Sequence, residues 1–209
     1  VHGLPASFFC RNAEWHSSEI DMREVVDDAV SAVSQMLKEN GVQLEISLPR
    51  ELPSIVADRD RLMQVMERAF DHVATVFGPG PGQKRGYCGH PEVELALIKA
   101  WHATGQRKYL DLASYFVDER GQQPHYFDIE RDARGEPAGK YGQGTYEYSQ
   151  SHLPVRQQTK VVGHAVRAMY LYTAMADLAA EHDDTELKQV CETLWQDVTS
   201  TRMYVTGGF

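Results

Sequence analysis

The sequence predicts a mainly α-helical protein built of helical hairpins, preceded by a small α/β N-terminal segment. Apolar residues recur at helical spacing in four segments after residue 90, and short polar turns join these segments in two pairs. Within the first 50 residues, apolar and polar residues instead alternate with a period of two, which indicates a strand. Hairpins that cannot each bury both faces must stack, as in an α-solenoid or an (α/α) toroid, and four helices alone would not close such a ring.

Two helices and two strands are expected at the N-terminal end. Asp21 and Glu24 form a plausible capping pair for the first helix, and Gly41 ends it. Asp58 can cap the second helix, whose apolar stripe continues to Val73. The expected bounds, in chain order, are helix 21–41, strand 42–48, strand 55–57 and helix 58–73.

The C-terminal two thirds are expected to contain the hairpins. A stretch rich in glycine and proline at 78–86 must be a loop, because neither helix nor strand persists there. A polar, aromatic and glycine-rich stretch at 122–158 shows little periodicity and is predicted as a long irregular loop or short hairpin. The expected helices are 91–101 and 107–119 for the first hairpin, and 160–181 and 185–202 for the second.

Composition excludes several classes of protein. The 209 residues carry a formal net charge of −9, which repels a phosphate backbone, so nucleic acid is not an expected partner. No stretch reaches the roughly 20 apolar residues of a spanning helix, and the N-terminus lacks a signal-peptide pattern. The three cysteines have no short repeated spacing, which argues against disulfides or a zinc ribbon. We therefore predict a cytoplasmic protein with reduced thiols and no membrane partner.

Long strings in the chain after residue 76 carry a family resemblance. They are FGPGPGQKRGYCGHPEVELAL, ATGQRKYLDLASYFVDERGQQPHYF, SHLPVRQQTKVVGHAVRAMYLYTAMADLA and, near the end, RMYVTGG. In this order and spacing they closely resemble glycoside hydrolase family 127, of β-L-arabinofuranosidase type, over about residues 70–209. The resemblance implies a partial (α/α)6 barrel in residues 67–209, whose complete form holds a terminal L-arabinofuranose and hydrolyses it with retention of configuration.

The resemblance also implies which functional groups to expect. The complete family enzyme uses a zinc-bound cysteine thiolate as nucleophile and a glutamate as acid/base, and those residues follow the VTGG turn. This chain is therefore expected to contain no catalytic residue, to hold no zinc, to be inactive and to bind the arabinofuranoside weakly or not at all. His90, in YCGHPE, and His164, in VVGHAVR, match histidines that line the sugar site. An uncharged imidazole can donate or accept a hydrogen bond, which suits sugar hydroxyls.

Each histidine also has an ordinary structural interpretation. His90 stands before Pro91 at a predicted helix start, where capping would be usual. His164 lies among apolar residues, where a lone histidine is more often part of the core. The family match favours sugar contact for both.

Other chemically active side chains are expected to be structural. Cys88 falls in the wrong motif for the nucleophile and is expected to pack, as is Cys191. Arg156 and Arg167 could orient the loop or bridge carboxylates. Two further residues, Glu92 and Glu94, are two apart on a helix, face different directions and cannot form an acid/base couple.

Residues 13–66 resemble another family. They are similar to the part of a sensor histidine kinase that leads from the dimerisation helices into the ATP-binding domain, without its asparagine or glycine-rich boxes. We therefore treat 1–66 as a partial segment joined to 67–209 within one helix. The alternatives to a glycosidase fragment are a partial signalling module or an inert chimeric fragment. An incomplete barrel would expose apolar helix faces and could self-associate.

Overall fold

The computed structural model describes residues 18–20, 55–57, 59–137 and 145–204. Contacts within the chain divide it into two units, Val1–Glu67 and Arg68–Phe209.

The first unit contains a two-stranded antiparallel sheet. Strand β1, Ser18–Ile20, pairs with strand β2, Ile55–Ala57, and Glu19 lies opposite Val56. Helix α1, Arg59–Val76, begins in this unit and ends in the second. The predicted short strand at 55–57 and the helix after Asp58 are confirmed. The predicted helix 21–41 and strand 42–48 lie outside the described residues.

The second unit is helical. Its elements, in chain order, are helix α2 Val93–Thr104, helix α3 Arg107–Glu119, helix α4 Tyr126–Ala133, 3-10 turns Glu147–Ser149 and Val155–Gln157, helix α5 Ala165–Glu181 and helix α6 Thr185–Asp197. Helices α2 and α3 form one hairpin, α5 and α6 form the other, and the short helix α4 and the two 3-10 turns lie between them. Helix α6 continues as one π-helical turn, Val198–Arg202.

The two hairpins turn in similar ways. In the first, Gly105 adopts a left-handed φ of 68°, and its N–H donates to the carbonyl of Trp101 at 2.7 Å. In the second, Asp183 has a φ of 50°, and the Asp184 carboxylate accepts from the Leu187 N–H at 2.9 Å. A left-handed residue ends the first helix of each pair, as expected for a helix C-terminus. Both predicted turns are confirmed.

The core lies where the hairpins meet. Helix α2 packs on α3 and on α5, and the side chains between them are fully buried. Removing each large aliphatic or aromatic side chain from water contributes about 1.5–3 kcal/mol. The central members are Leu97, Ile98, Tyr109, Ala113, Phe116, Leu171, Met175 and Leu178.

The prediction of an irregular segment at 122–158 is wrong in part, because this segment contains α4. Its sequence is too polar to show a clear apolar stripe, yet Tyr126 is buried against Phe77 and Tyr87. An ion pair from Arg134 to Glu130, 3.2 Å long and one turn apart, supports the exposed face. The helix therefore depends on one buried aromatic anchor and on surface charges.

Helix α5 begins five residues later than predicted, at Ala165 instead of 160. Gly163 has a left-handed φ of 77°, and a Cβ there would lie 1.9 Å from the carbonyl oxygen of Glu147. The backbone of two segments therefore meets at this glycine, which prevents the helix from starting earlier. Residues 160–164 instead approach α5 without helical structure and bend at Lys160 and Gly163.

Large apolar side chains remain exposed on α5 and α6, among them Val166 and Trp195. None of the helices in the described ranges combines the length and the apolar character that crossing a bilayer requires.

Candidate functional site

The two histidines singled out from the sequence lie in segments that one arginine connects. Arg167, in the first turn of α5, donates from Nη1 to the carbonyl oxygen of Gly89 at 2.6 Å, next to His90. Its guanidinium carbon lies 4.6 Å from the centre of the Tyr148 ring. The Tyr148 ring in turn meets the His164 ring edge-on, with 5.7 Å between centroids. The structure therefore links the His90 and His164 segments through Arg167 and Tyr148.

The His90 ring is held on one side and open on the other. It packs edge-to-face on Tyr170 at 5.8 Å, and its Nδ1 lies 3.7 Å from the Glu92 carboxylate. Nδ1 is buried without a hydrogen bond from any described residue, yet 42% of the side chain is exposed. The capping interpretation fails, because Glu92 occupies the N-cap position of α2.

His164 is the residue immediately before α5, and its side chain is exposed. The interpretation of His164 as a core histidine on an apolar helix face is therefore wrong. Its backbone explains the difference: Gly163 delays the helix, so His164 is extended and its carbonyl accepts from Ala168 N–H at 3.0 Å. The imidazole is left at the surface, beside Tyr148.

A buried ionic layer lies on the inner side of the same two segments. Glu94 and Arg120 are fully buried and form an ion pair with 2.9 Å between Oε1 and Nη2. Arg120 also donates to the carbonyl oxygens of Cys88 and Ser149, each at 3.0 Å. Its guanidinium carbon lies 4.7 Å from the centre of the Tyr87 ring. Every one of these contacts ties the end of α3 to the His90 loop, to α2 or to the 3-10 turn that precedes residue 150.

The thiol of Cys88 belongs to this layer. Its S–H donates to the His90 carbonyl oxygen at 2.6 Å, and the sulfur lies 3.6 Å from both oxygens of Glu94. Burial, followed by the negative charge of Glu94, raises the pKa of Cys88 to about 12 against the opposing effect of Arg120. The thiol therefore stays protonated at neutral pH and is no nucleophile. Its role is structural, as predicted, although it acts through a hydrogen bond as well as by packing.

The structure also tests the predictions for the two glutamates at the start of α2 and for Arg156 and Arg167. Glu92 is exposed and Glu94 is buried against Arg120, so the two carboxylates do point apart and form no acid/base couple. Arg156 bridges the carboxylates of Asp118, Asp184 and Glu186 at 2.7–3.1 Å, which confirms its structural role. Arg167 orients a loop, also as predicted.

Buried amides fix the segment that leads to His164. The Gln150 side chain donates to the carbonyl of Val162 at 3.0 Å and to that of His164 at 3.3 Å. Gln158 donates to the carbonyls of Gln150 and Leu153, both at 2.9 Å. Sequence reasoning missed these two residues, because glutamine in a polar stretch normally indicates a solvent-facing position.

The described residues do not fit a zinc–thiolate centre. Across the described ranges, no group of three or more histidine, cysteine, aspartate or glutamate side chains converges as metal ligands would. Cys88 is protonated, and the carboxylate beside it is neutralised by a guanidinium. A cysteine that binds zinc must be a thiolate, and a carboxylate paired with a fixed cation is a poor partner for it. No step of a reaction can therefore be assigned to zinc held by these side chains.

Comparison with known proteins decides the family. The model of the β-L-arabinofuranosidase, GH127 catalytic domain matches residues 55–209. The chain belongs to glycoside hydrolase family 127. Residues 55–66, which we assigned from the sequence to the kinase-like segment, fall inside this match. The resemblance of residues 13–66 to histidine kinases receives no support from the comparisons.

Relatives of the family 127 chain agree with this assignment. A non-reducing end β-L-arabinofuranosidase of Bifidobacterium longum is 36% identical over 154 residues, or 73% of this chain and 23% of the relative. A GH127 β-L-arabinofuranosidase of Geobacillus stearothermophilus has a crystal structure that superposes with a TM-score of 0.70 at 54% identity, over 72% of this chain and 24% of that one. A GH127 β-arabinofuranosidase gives 0.61 at 36% identity, over 72% and 21%.

Two conclusions follow from these relatives. The chain spans about a quarter of the length of the proteins it matches. The helical hairpins and their structural neighbours confirm the expected mainly α fold and partial α/α barrel.

Proposed function

We propose that residues 67–209 form part of the sugar-binding wall of a retaining glycosidase acting on terminal β-L-arabinofuranosides, and that His90 and His164 contact the sugar. The observation that carries the proposal is the link through Arg167, which holds the loop of His90 and the ring of Tyr148 beside His164. Two histidines 74 positions apart in the sequence thus belong to one connected surface. The names of the relatives supply the class of substrate.

The chemistry of this surface suits a neutral sugar. A nitrogen of a neutral imidazole donates or accepts according to its tautomer, and furanose hydroxyls do both. At His90, whose Nδ1 is buried, Nε2 is the ring nitrogen left for such a contact. Tyr148 is 48% exposed and Tyr170 is half-buried, so aromatic faces lie beside the histidines to cover the apolar C–H side of a sugar ring. Specificity in such sites comes from a few well-placed polar groups in an otherwise apolar lining.

We further propose that this chain by itself does not break the glycosidic bond. Retaining hydrolysis needs a nucleophile and an acid/base group on either side of the bond. In the part of the chain that the structure describes, Cys88 is a protonated structural thiol and Glu94 is locked to Arg120. In the complete family enzyme, zinc would keep a cysteine deprotonated; that ligand set is not among the described side chains. Self-association and a cytoplasmic location stay predictions.

The experiment that tests sugar contact is an NMR titration of the 209-residue chain with methyl β-L-arabinofuranoside. The ring signals of His90 and His164 are assigned by comparison with the variants H90Q and H164Q. Sugar should shift both signals, and each glutamine variant should bind more weakly because a ring donor or acceptor is lost. His102, which is paired with Glu181 on the surface, provides the control variant H102Q, which should bind as the unmodified chain does.

Two results would contradict the proposal. Equal shifts at His102, or equal shifts with the α-anomer, would show that the histidines do not form a specific sugar surface. Release of nitrophenol from a nitrophenyl β-L-arabinofuranoside by the purified chain, with or without added zinc, would contradict the lack of activity.

A further inference from the structure

We propose that Arg167 is the positioning residue of the sugar surface, setting the relative placement of His90 and His164 without touching the sugar itself. The inference rests on the proposed function, in that it concerns the same two histidines. It goes further by assigning to one side chain the coupling of two loops that are far apart in the sequence.

The backbone of Arg167 is held rigidly by the core. This residue belongs to the first turn of α5, and the neighbouring residues Ala168 and Leu171 are fully buried in the core. Its backbone is therefore fixed by packing between the hairpins. A side chain built on a helix that is anchored in this way can hold a loop more accurately than a side chain on another loop can.

The shape of the guanidinium group allows it to make two kinds of contact at once. It is planar, with N–H donors at its edge and a face that stacks on aromatic rings. Arg167 uses both: an edge N–H binds the Gly89 carbonyl at 2.6 Å, and the guanidinium lies 4.6 Å from the Tyr148 ring centre. The edge therefore locates the residue before His90, while the face locates the ring that contacts His164.

Arg120 bridges the same two segments from the interior. Arg120 binds the carbonyls of Cys88 and Ser149, whereas Arg167 binds the carbonyl of Gly89 and the ring of Tyr148. The two arginines thus grip neighbouring residues on both segments. Arg120 is fully buried and holds the two segments together in the interior. Arg167 therefore acts on the exposed edge of the same segments, where the imidazoles lie.

The test uses the variants R167M and R167K in the 209-residue chain, with R134M as the matched control. Arg134 lies at the end of α4, where it is ion-paired to Glu130 and Glu136 away from the two histidine segments. The histidine ring signals are recorded first without ligand, and affinity for methyl β-L-arabinofuranoside is measured afterwards. Thermal melting shows whether each variant is folded.

The expected result for R167M is a shift of the His90 and His164 signals together, while His102 stays in place. Sugar affinity should fall about tenfold, because the binding-competent placement of the two histidines is then no longer held by the charge-assisted hydrogen bond from Arg167 to Gly89 and is populated less. R167K keeps a donor for the Gly89 carbonyl but has no planar face. It should therefore leave the His90 signal in place, shift the His164 signal and bind sugar with an intermediate affinity.

Several results would overturn the inference. They are a folded R167M in which one or neither histidine signal moves, an R134M that moves both, and an R167K that affects both histidines as R167M does. If R167M does not fold, R167K decides alone, since a shift of His164 without His90 supports the inference and any other pattern refutes it. If the unmodified chain shows no sugar binding, the proposed function fails, whereas the ligand-free signals still test the positioning role.

Discussion

Two arginines of this chain each bind several oxygen atoms, yet they lie in opposite surroundings. Arg120 is fully buried, and among the described residues it pairs with the Glu94 carboxylate and donates to two backbone carbonyls. Arg156 is about 30% exposed and faces three carboxylates, those of Asp118, Asp184 and Glu186. If only the number of neighbouring carboxylates counted, the Arg156 cluster would contribute more to stability than the Glu94–Arg120 pair.

Burial reverses that ranking. An exposed ion pair exchanges water contacts for protein contacts and is screened by salt, so its net contribution is about 0–1 kcal/mol. Within a buried pair, removal of one partner leaves a charge without solvent, and the loss is about 3–5 kcal/mol. The polar groups with the largest influence on this fold therefore lie beneath the surface that carries His90 and His164. Four measurements test this comparison of the two arginines.

The largest expected effect is that of R120M. Methionine keeps an apolar stem but leaves Glu94 and the carbonyls of Cys88 and Ser149 without their donor. The free energy of unfolding, measured by urea titration followed by circular dichroism, should fall by about 3–5 kcal/mol. The double variant E94L/R120M should recover part of this loss, because no buried carboxylate remains. A loss no greater than that of R156M would break the comparison.

The second effect concerns the Cys88 thiol, which lies in the same buried layer. Its pKa, raised to about 12 by burial and by Glu94, leaves about a thousandth of the thiolate that an ordinary pKa of 9.0 would leave. In a C10S/C191S variant at pH 8, iodoacetamide should therefore label Cys88 about a thousandfold more slowly than it labels the urea-unfolded chain. Equal rates in the folded and the unfolded chain would show that the layer is open to solvent.

A smaller effect is expected for R156M. Its three carboxylate partners are partly exposed, so the free energy of unfolding should fall by about 1 kcal/mol or less. The difference between R156M and the unmodified chain should shrink further in 1 M salt, where the screening length is about 3 Å. The urea titration used for R120M measures both values. A loss that is large and insensitive to salt would place Arg156 with the buried group.

The smallest effect, and one of opposite sign, is expected for D177N. Burial raises the pKa of Asp177, against lowering by Lys99 and His102, so folding disfavours the carboxylate form. The stability that this carboxyl contributes is fully present below its ordinary pKa of 3.8 and is lost as the pH rises through the raised value. At pH 7 the asparagine variant should therefore melt at a slightly higher temperature than the unmodified chain. Below pH 3.8 the two melting temperatures should coincide, and a constant difference would contradict the assignment.

Prediction from the sequence succeeded where local signals were sufficient. Helix α3 was predicted with its observed bounds, because its amphipathic pattern is continuous and Gly105 and Gly121 flank it. The start of α5 was placed too early, since the obstacle at Gly163 is the carbonyl of Glu147, which only the folded chain brings there. Helix α4 was missed because its single buried aromatic leaves almost no periodic pattern.

The sequence predicted the two histidines of the candidate site but not the residues that hold their segments in place. The motifs pointed to His90 and His164, but the Glu94–Arg120 pair joins residues 26 positions apart, and the Arg167–Gly89 bond spans 78 positions. No local pattern reports such pairings, because either residue alone could equally well face solvent. Whether the two histidines contact sugar stays a prediction.

The helical geometry of α5 constrains how this protein can change. Each residue added to an α-helix turns everything before it by about 100° relative to everything after it. One inserted residue between Arg167 and the buried Leu171 would therefore swing the guanidinium away from Gly89, even if the core repacked without loss. Insertions and deletions within this one turn of helix should be far rarer than substitutions among functional variants, and differences in length should occur instead in the turn at Asp183.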